Sequence, residues 1–425
     1  MTAMIGTESG DTVAPRVPPR SYLCALVDAG GTVPPELGVV RRLVNRGHRV
    51  TVLAGESLVD AVRATGADFL PRKGASPVVF RDWDLTPWDL ARAMADHMMV
   101  GPAPSHAADT ASAIDALAPD RVVVSALAVG PMIAAEARRV PFDLLIPNVY
   151  PFPVEGMPPF GGGLAPARGV AGRVRDQLVT AAAGGLFDRY ALDGLNSLRA
   201  NSGLEPVSVT WEQMARAHRQ LILTSAAFDF PARLPDNACY VGPILDDPVW
   251  ADGRTWKLPP GDDPLVLVAM SSTFQNHLEC LQRVVDALGA MPLRALVTTG
   301  PAIRPEALSA SPNVTVVESA PHERVLREAA LVITHGGHGT VLKTLAAGLP
   351  LVILPHGRDQ ADNAVRVTTR GAGIAISRRA SARKIANAVG RVLNHPSYGA
   401  AARRFGRVVA RDADSPALLA ELERG

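Results

Sequence analysis

The residue types best suited to chemistry lie in a short stretch from His335 to Thr340, which reads His-Gly-Gly-His-Gly-Thr. An apolar run, residues 330–334, precedes it and a helix-forming segment, residues 341–347, follows, so the pattern predicts a strand, a glycine turn and a helix. Glycines let the backbone approach an anion closely, and the first turn of a helix offers unpaired N–H groups at the positive end of its dipole. The stretch therefore indicates a phosphate-binding turn, and a ligand with a diphosphate group is the first hypothesis.

Length and composition indicate a globular protein of two domains. The 425 residues suit two α/β domains of about 200 residues each. A net charge of +2 and scattered arginines disfavour a nucleic-acid-binding surface. No stretch approaches the roughly 18 apolar residues of a membrane span, and residues 1–20 lack the apolar core of a signal peptide. We therefore expect a soluble, cytoplasmic protein with a disordered tail over residues 1–20 and no nucleic-acid or membrane partner.

Apolar runs alternate with helical segments along the chain, which is typical of parallel sheets covered by helices. Strands are predicted at residues 23–27, 50–54, 122–125, 144–147 and 221–224, and then at 265–270, 295–298, 314–318, 331–334, 351–354 and 374–376. The polar, proline-rich residues 241–260 predict a linker between the two series. We therefore expect one α/β domain over residues 21–240 and a second over residues 261–405.

Two segments interrupt this alternation and carry apolar side chains. Residues 150–184 combine several prolines and three consecutive glycines with Phe152 and Phe160, which predicts a long irregular loop. Trp83 and Trp88 lie in a second irregular segment and are suited to lining a pocket for a flat ligand. The two segments are candidates for binding an apolar molecule, and the alternative is a pair of surface loops held by hydrophobic anchors.

Six short motifs follow one another in the second half, beginning at Ala320, Val325, Thr334, Ala347, Leu354 and Asp359. Their order and spacing resemble the nucleotide-sugar signature of family 1 glycosyltransferases, particularly of bacterial enzymes that glycosylate macrolides and aromatic polyketides. Residues 31–35 and 43–50 resemble the opening of the family's first domain. The resemblance implies the GT-B architecture: two Rossmann-like doubly wound domains face each other across a cleft, and a helix within residues 406–425 packs back on the first domain.

The resemblance also assigns roles to individual residues of the donor site. The donor diphosphate is expected at two turns, which comprise Ser272, Thr273, His335, Gly337, His338, Gly339 and Thr340. Asp359 and Gln360 match the pair that binds the sugar hydroxyl groups. For Ser272 and Thr273 taken alone, a helix N-cap is an equal alternative.

One departure concerns the nucleobase. Plant relatives stack a tryptophan on uracil, whereas this chain has Ser319 at that position. The base is therefore expected to contact the turn from Ala320 to His322, or another side chain. TDP-sugars, the usual donors of the antibiotic enzymes, are the first choice, and UDP-sugars stay open.

A second departure concerns the catalytic base. The family uses a histidine after the first strand, held by an aspartate after the fourth, but Thr32 and Ser125 occupy these positions. Threonine is not a general base near neutral pH. Asp28, at the end of the same strand, is one candidate base, although such a residue is also a common turn former. His97 and His106 are further candidates.

Two alternatives require no strong base. The acceptor could be acidic enough to react after desolvation. The chain could also be a glycosyltransferase-like auxiliary protein without catalysis that binds or activates a partner enzyme.

The sequence thus predicts an inverting glycosyltransferase that moves a sugar from a TDP- or UDP-sugar to an apolar acceptor of the polyketide or macrolide type. The acceptor-binding candidates are Trp83, Trp88, Phe152 and Phe160. We expect no cofactor and no metal, since the nucleotide sugar is a substrate and the Asp-x-Asp match at residues 82–84 lies in the wrong domain. A homodimer is compatible with these predictions.

Overall fold

Two parallel β-sheets organise the computed structural model of the chain, which describes residues 18–74, 81–247, 256–270, 273 and 275–424. The strands are β1 (Ser21–Ala25), β2 (Arg49–Ala54), β3 (Asp68–Pro71), β4 (Arg121–Ser125), β5 (Phe142–Ile146), β6 (Arg219–Ile222), β7 (Ala238–Tyr240), β8 (Leu265–Ala269), β9 (Arg294–Thr298), β10 (Val314–Val317), β11 (Ala329–Thr334), β12 (Leu351–Ile353) and β13 (Gly373–Ala375). The α-helices are α1 (Val33–Asn45), α2 (Val59–Arg63), α3 (Pro87–Met94), α4 (Ala103–Leu117), α5 (Val129–Ala137), α6 (Gly169–Asn201), α7 (Glu212–Ala215), α8 (Leu278–Gly289), α9 (His322–Leu326), α10 (His338–Ala346), α11 (Gln360–Thr369), α12 (Ala382–Asn394), α13 (Pro396–Ala413) and α14 (Ala417–Leu422).

In both sheets, the first strand lies in the interior, and later strands are added on one side of it and then on the other. The first has the order β3-β2-β1-β4-β5-β6-β7 and the second β10-β9-β8-β11-β12-β13, and the described strand pairs are parallel. Sheets of this kind bind ligands at the carboxyl ends of the strands where the order reverses, between β1 and β4 and between β8 and β11. The predicted fold class, two doubly wound α/β domains, is confirmed.

Strand residues alternate between cores on the two faces of each sheet. In β1, Leu23 packs in one buried cluster and Cys24 in another, and in β8 Val266 and Leu267 divide in the same way. Because both faces are covered, these strands have continuous apolar sequences. All six strands predicted in the second half are present, but β3 and β7, at the two edges of the first sheet, were missed.

The irregular segment predicted over residues 150–184 is wrong in its second half. The structure has an irregular loop only up to Arg168, and α6 begins at Gly169. The last proline of the segment is Pro166, so the following residues can form an unbroken helix. We name residues 151–168 the proline loop.

The ends of the predicted domains have defined contacts. Leu418 and Leu422 of α14 pack in a core cluster of the first domain, and the Tyr22 hydroxyl donates to the carbonyl oxygen of Leu422 at 3.1 Å. Helix α13 continues through residue 405, where we expected the second domain to end. Of the predicted tail, only residues 18–20 are described.

The described part of the predicted linker, residues 241–247 and 256–260, is tied to both domains. Asp246 accepts hydrogen bonds from Arg41 and Arg42 of α1 at 2.8 and 3.0 Å. The next residue, Asp247, pairs with Lys343 of α10 at 2.5 Å. These two aspartates therefore attach the linker to both domains.

Candidate active site

The switch points of the two sheets face each other at a direct contact between domains. Gly30 follows β1 with a φ of +71°, and a Cβ atom placed there would lie 2.7 Å from Cγ2 of Thr273, which follows β8. A side chain at position 30 would therefore push the loop after β1 away from Thr273. The loop that contains Asp28 and Thr32 therefore lies against the second domain beside its predicted phosphate-binding turn.

The predicted glycine turn joins β11 to α10. The first hydrogen bond within the helix runs from the Val341 N–H to the Gly337 carbonyl oxygen at 3.0 Å, so the N–H groups of residues 338–340 precede the helical ladder. Gly337 is required sterically, because a Cβ atom there would lie 2.6 Å from Nε2 of His335. The turn thus places N–H groups that precede the helical ladder next to an imidazole ring, which is an arrangement suited to binding an anion.

The His335 side chain is buried and neutral at physiological pH. It is 8% exposed, and its Nδ1 lies 3.4 Å from Oγ1 of Thr334. Burial, with contributions from His356, His277 and Arg358, lowers the pKa of His335 to about 3. A neutral imidazole has one N–H donor, and in this structure the ring is engaged by a hydrogen bond to the Ala269 backbone.

The other predicted phosphate ligands differ in what they contact. The His338 ring turns toward the domain contact, with Nδ1 3.1 Å from Oδ1 of Asn363 and its edge on Phe228, so only its backbone N–H belongs to the turn. Thr273 accepts a long hydrogen bond of 3.5 Å from Arg358. Ser272 lies outside the described residues. Arg358, which the sequence reasoning missed, brings a positive charge to this site.

The predicted sugar-binding pair lies at the start of α11. Gln360 is 1% exposed, and its Oε1 accepts from the His356 N–H at 2.7 Å while its Nε2 donates to Oε1 of Gln275 at 2.9 Å. Its amide therefore organises the surrounding loops. Asp359 is half-buried, accepts from Nδ2 of Asn363 at 2.9 Å, and has a pKa raised to about 6 by burial. Sugar binding by these residues stays a prediction.

The turn predicted to bind the nucleobase is compact. Ala320 is 2% exposed, and Nε2 of His322 lies 3.3 Å from Oγ1 of Thr298. Burial lowers the pKa of His322 to about 4. Ser319 is 3% exposed, and its hydroxyl has no hydrogen-bond partner among the described residues. A polar atom without a partner is thus present where plant relatives have the stacking tryptophan.

Asp28 is the carboxylate at the loop after β1. It is half-buried, and its Oδ2 accepts a hydrogen bond from the Ser57 hydroxyl at 2.8 Å. Thr32 is the N-cap of α1, but its side chain makes no capping hydrogen bond. The two histidines that were further candidates for the catalytic base differ in exposure. His97 is exposed, whereas His106 is 1% exposed and cannot contact a substrate.

A buried carboxyl that the sequence reasoning missed lies one helical turn after Thr32. Glu36 is 1% exposed, and its Oε2 accepts from the Ser125 hydroxyl at 2.7 Å, while Ser125 itself accepts from the Val27 N–H at 3.2 Å. Burial raises the pKa of Glu36 to about 8. The sequence feature that could have identified Glu36 is its position, as a charged residue, on the apolar face of α1, one position before Leu37.

The predicted acceptor-binding aromatics differ in exposure. Phe152 is half-buried and packs against the core, with its ring centroid 5.4 Å from that of Tyr150 and 5.6 Å from that of Trp211. Phe160 and Trp88 are 40% and 59% exposed. Trp83 is half-buried beneath the Arg81 guanidinium, at 5.7 Å. Phe160 and Trp88 therefore offer the most exposed aromatic surface of the four to a ligand.

Neither a metal cluster nor a membrane segment is found in the described part of the chain. No group of three or more His, Cys, Asp or Glu side chains there is arranged to hold a metal ion. No described helix has the length and hydropathy needed to cross a bilayer.

Two doubly wound domains that meet at the switch points of their sheets define the GT-B class of glycosyltransferases. Solved structures share this fold. The glycotransferase of kitacinnamycin superposes with a TM-score of 0.73 at 23% identity, covering 96% of this chain and 99% of the other. The glycosyltransferase VinC, in complex with dTDP, has a TM-score of 0.67 at 19% identity, with 95% and 100% covered.

Residues 168–416 match the family model of the UDP-glucoronosyl and UDP-glucosyl transferases, and the chain belongs to this family. It is 28% identical over 413 residues to 4'-demethylrebeccamycin synthase of Lentzea aerocolonigenes, covering 92% of this chain and 96% of the relative. It is 31% identical over 233 residues to a PGL/p-HBAD biosynthesis glycosyltransferase of Mycobacterium tuberculosis, covering 53% and 52%. The predicted family, enzyme class and relation to antibiotic glycosyltransferases are confirmed.

Proposed function

We propose that this chain transfers a sugar, with inversion, from a TDP- or UDP-sugar to an apolar natural-product acceptor. The observation that carries the proposal is the contact of Gly30 with Thr273, which brings the loop after β1 against the phosphate turns of the second domain. Similar structures include VinC with dTDP and a spinosyn rhamnosyltransferase with thymidine diphosphate or spinosyn aglycone. These neighbours support a thymidine nucleotide as the first choice of donor.

The diphosphate leaves from the N-terminal end of α10. The backbone N–H groups of residues 338–340 donate hydrogen bonds to it, and the neutral His335 imidazole shifts its single N–H from the Ala269 backbone to a phosphate oxygen. Arg358 adds a positive charge from the adjacent loop. Fixed donors and charge at the point where negative charge develops lower the barrier to departure.

Asp28 takes the proton of the acceptor. It is the half-buried carboxylate in the loop that meets Thr273, whereas Glu36 is too deeply buried to touch a substrate. Thr32, at the position of the family histidine, lines the same loop without a basic group. Attack by the deprotonated acceptor on the face opposite the diphosphate inverts the anomeric carbon.

The donor site is tested by His335→Ala with calorimetric titration of TDP and UDP. Loss of one charge-assisted donor predicts a weaker affinity by about tenfold or more. His395→Ala, at an exposed histidine of the same domain, is the matched control and should bind as the unchanged chain does. Equal nucleotide affinity of the two variants would remove the His335 assignment.

The base is tested by Asp28→Asn in a screen of nucleotide sugars against polyketide acceptors with mass detection. Nucleotide affinity should be retained, and transfer should fall by about two orders of magnitude or more. Asp60→Asn, at an exposed position of the first domain, should transfer normally. An active Asp28→Asn variant would favour activation of an acidic acceptor, and a wild-type chain that binds nucleotide but forms no product would favour the auxiliary role.

A further inference from the structure

Helix α11 contacts the proline loop one turn after its predicted sugar-binding residues. The Asp362 carboxylate accepts a hydrogen bond from the Gly161 N–H on one oxygen, at 2.5 Å, and from the Gly163 N–H on the other, at 2.9 Å. Asp362 is only 2% exposed. Both oxygens of one buried carboxylate are thus committed to the backbone of a loop from the other domain.

The loop backbone lies directly against the helix at this point. Gly163 has a φ of +59°, and a Cβ atom there would lie 2.7 Å from Cβ of Ala361. Gly161 also has a positive φ, of +87°. Glycine is therefore suited to the backbone conformation at both positions and to the close approach at Gly163.

A second anchor holds the start of the same region to the same helix. Arg366 donates to Oδ1 of Asp229 at 2.6 Å, and Oδ2 of Asp229 accepts from the Tyr150 N–H at 2.9 Å. Arg366 also donates to the Asp362 carbonyl oxygen at 3.0 Å. Asp229 and Arg366 are 1% and 2% exposed, so this anchor is fully buried.

The two anchors leave an exposed aromatic side chain at the tip of the loop. Phe152 is half-buried beside Trp211, whereas Phe160, which is 40% exposed, directly precedes the anchored Gly161. Asp359 lies three residues before Asp362, at the start of α11. The Asp362 contact therefore connects the exposed aromatic tip with the end of the helix assigned to the donor sugar.

We propose that Asp362 is a positioning residue for transfer, whose carboxylate holds the tip of the proline loop so that Phe160 covers an apolar acceptor beside the donor sugar. This inference rests on the proposed acceptor role of the loop. Without the carboxylate, two backbone N–H groups lose charge-assisted partners and two glycines regain their conformational freedom. The tip then opens, and the acceptor loses one wall of its site while the nucleotide keeps its own.

Two variants and one control test the inference. Asp362→Ala removes both acceptor atoms, and Gly163→Ala displaces the tip sterically while leaving α11 unchanged. Asp412→Asn is the control, since Asp412 accepts from the Ser225 hydroxyl at 2.6 Å and so joins the domains without touching the loop. Hydrogen exchange of the backbone at residues 158–165 and steady-state kinetics are measured for each chain.

In Asp362→Ala and Gly163→Ala, we expect exchange at residues 158–165 to accelerate by about tenfold or more, because the loop amides lose their protection. The KM for the acceptor should rise by about tenfold, while nucleotide affinity changes less than about twofold. Asp412→Asn should match the wild-type chain in both measurements.

Unchanged loop exchange in Asp362→Ala, or faster exchange with an unchanged acceptor KM, would overturn the inference. An equal loss of nucleotide affinity would indicate a general structural defect and would overturn it as well. If the wild-type chain transfers to no acceptor, the proposed function fails and exchange alone decides whether Asp362 holds the loop.

Discussion

Substitution of Glu36 by glutamine should remove a large part of the pH dependence of stability. Burial raises the pKa of this carboxyl from 4.5 to about 8, so between these values the folded chain binds a proton that the unfolded chain has lost. The free energy of unfolding therefore falls as pH rises through this window. Each pKa unit corresponds to about 1.4 kcal/mol, so the loss from Glu36 between pH 4.5 and pH 7 is about 3 kcal/mol.

The glutamine variant has no such proton to lose, and its side-chain oxygen still accepts from Ser125. The difference in unfolding free energy, variant minus wild type, should therefore increase by about 3 kcal/mol from pH 4.5 to pH 7 and level off above about pH 8. Urea unfolding of both chains at several pH values measures this difference, in which all other titrating groups cancel.

Glu279→Gln is the matched control, because the Glu279 side chain is 92% exposed and its substitution should leave the pH profile unchanged. Parallel profiles for wild type and Glu36→Gln would refute the reasoning, since they would mean that Glu36 ionises equally in the folded and unfolded chains.

Three further predictions concern stability. Asp229→Ala leaves the Arg366 guanidinium buried without its partner and should lower the unfolding free energy by about 3 to 5 kcal/mol, as measured in urea. Gly406→Ala places a Cβ atom into the Leu345 carbonyl oxygen and should cost about 1 to 3 kcal/mol; an unchanged thermal midpoint would contradict the packing of α13 on α10. Burial lowers the pKa of four histidines, including His335, from 6.5 to about 3 or 4, so stability should fall as pH drops through that range. Acid titration followed by circular dichroism checks this.

The strands could be predicted where burial on both faces of the sheet produces a recognisable apolar sequence. Strands covered on both faces, such as β8 and β11, are continuous apolar runs and were located within a residue or two. The edge strands β3 and β7 are short and only partly buried, and their apolar runs are only two and four residues long. Helix α6 was missed in its first half although Val170, Val174 and Leu178 repeat at helical spacing, because the prolines and glycines just before them suggested that the irregular segment continues.

The glycine turn between β11 and α10 was predictable because its requirements are local: glycines and helix-start N–H groups lie within a few residues of His335. The side-chain contacts of His338 and Gln360 were not, because Asn363, Phe228 and Gln275 reach them from other elements. Side-chain partners of this kind depend on tertiary packing, which spacing alone does not record.

Asp246 and Asp247 are adjacent in the chain, and their side chains form ion pairs with basic side chains of different domains. A rotation of one domain against the other would pull one carboxylate from its partner, because a single peptide unit separates the two attachments. These ion pairs therefore resist rotation of one domain against the other. Salt should screen the pairs of Arg41 and Arg42 with Asp246 more than the Lys343–Asp247 pair, whose side chains are only 13% and 15% exposed. Raising the ionic strength should therefore loosen the attachment of this segment to the first domain before its attachment to the second.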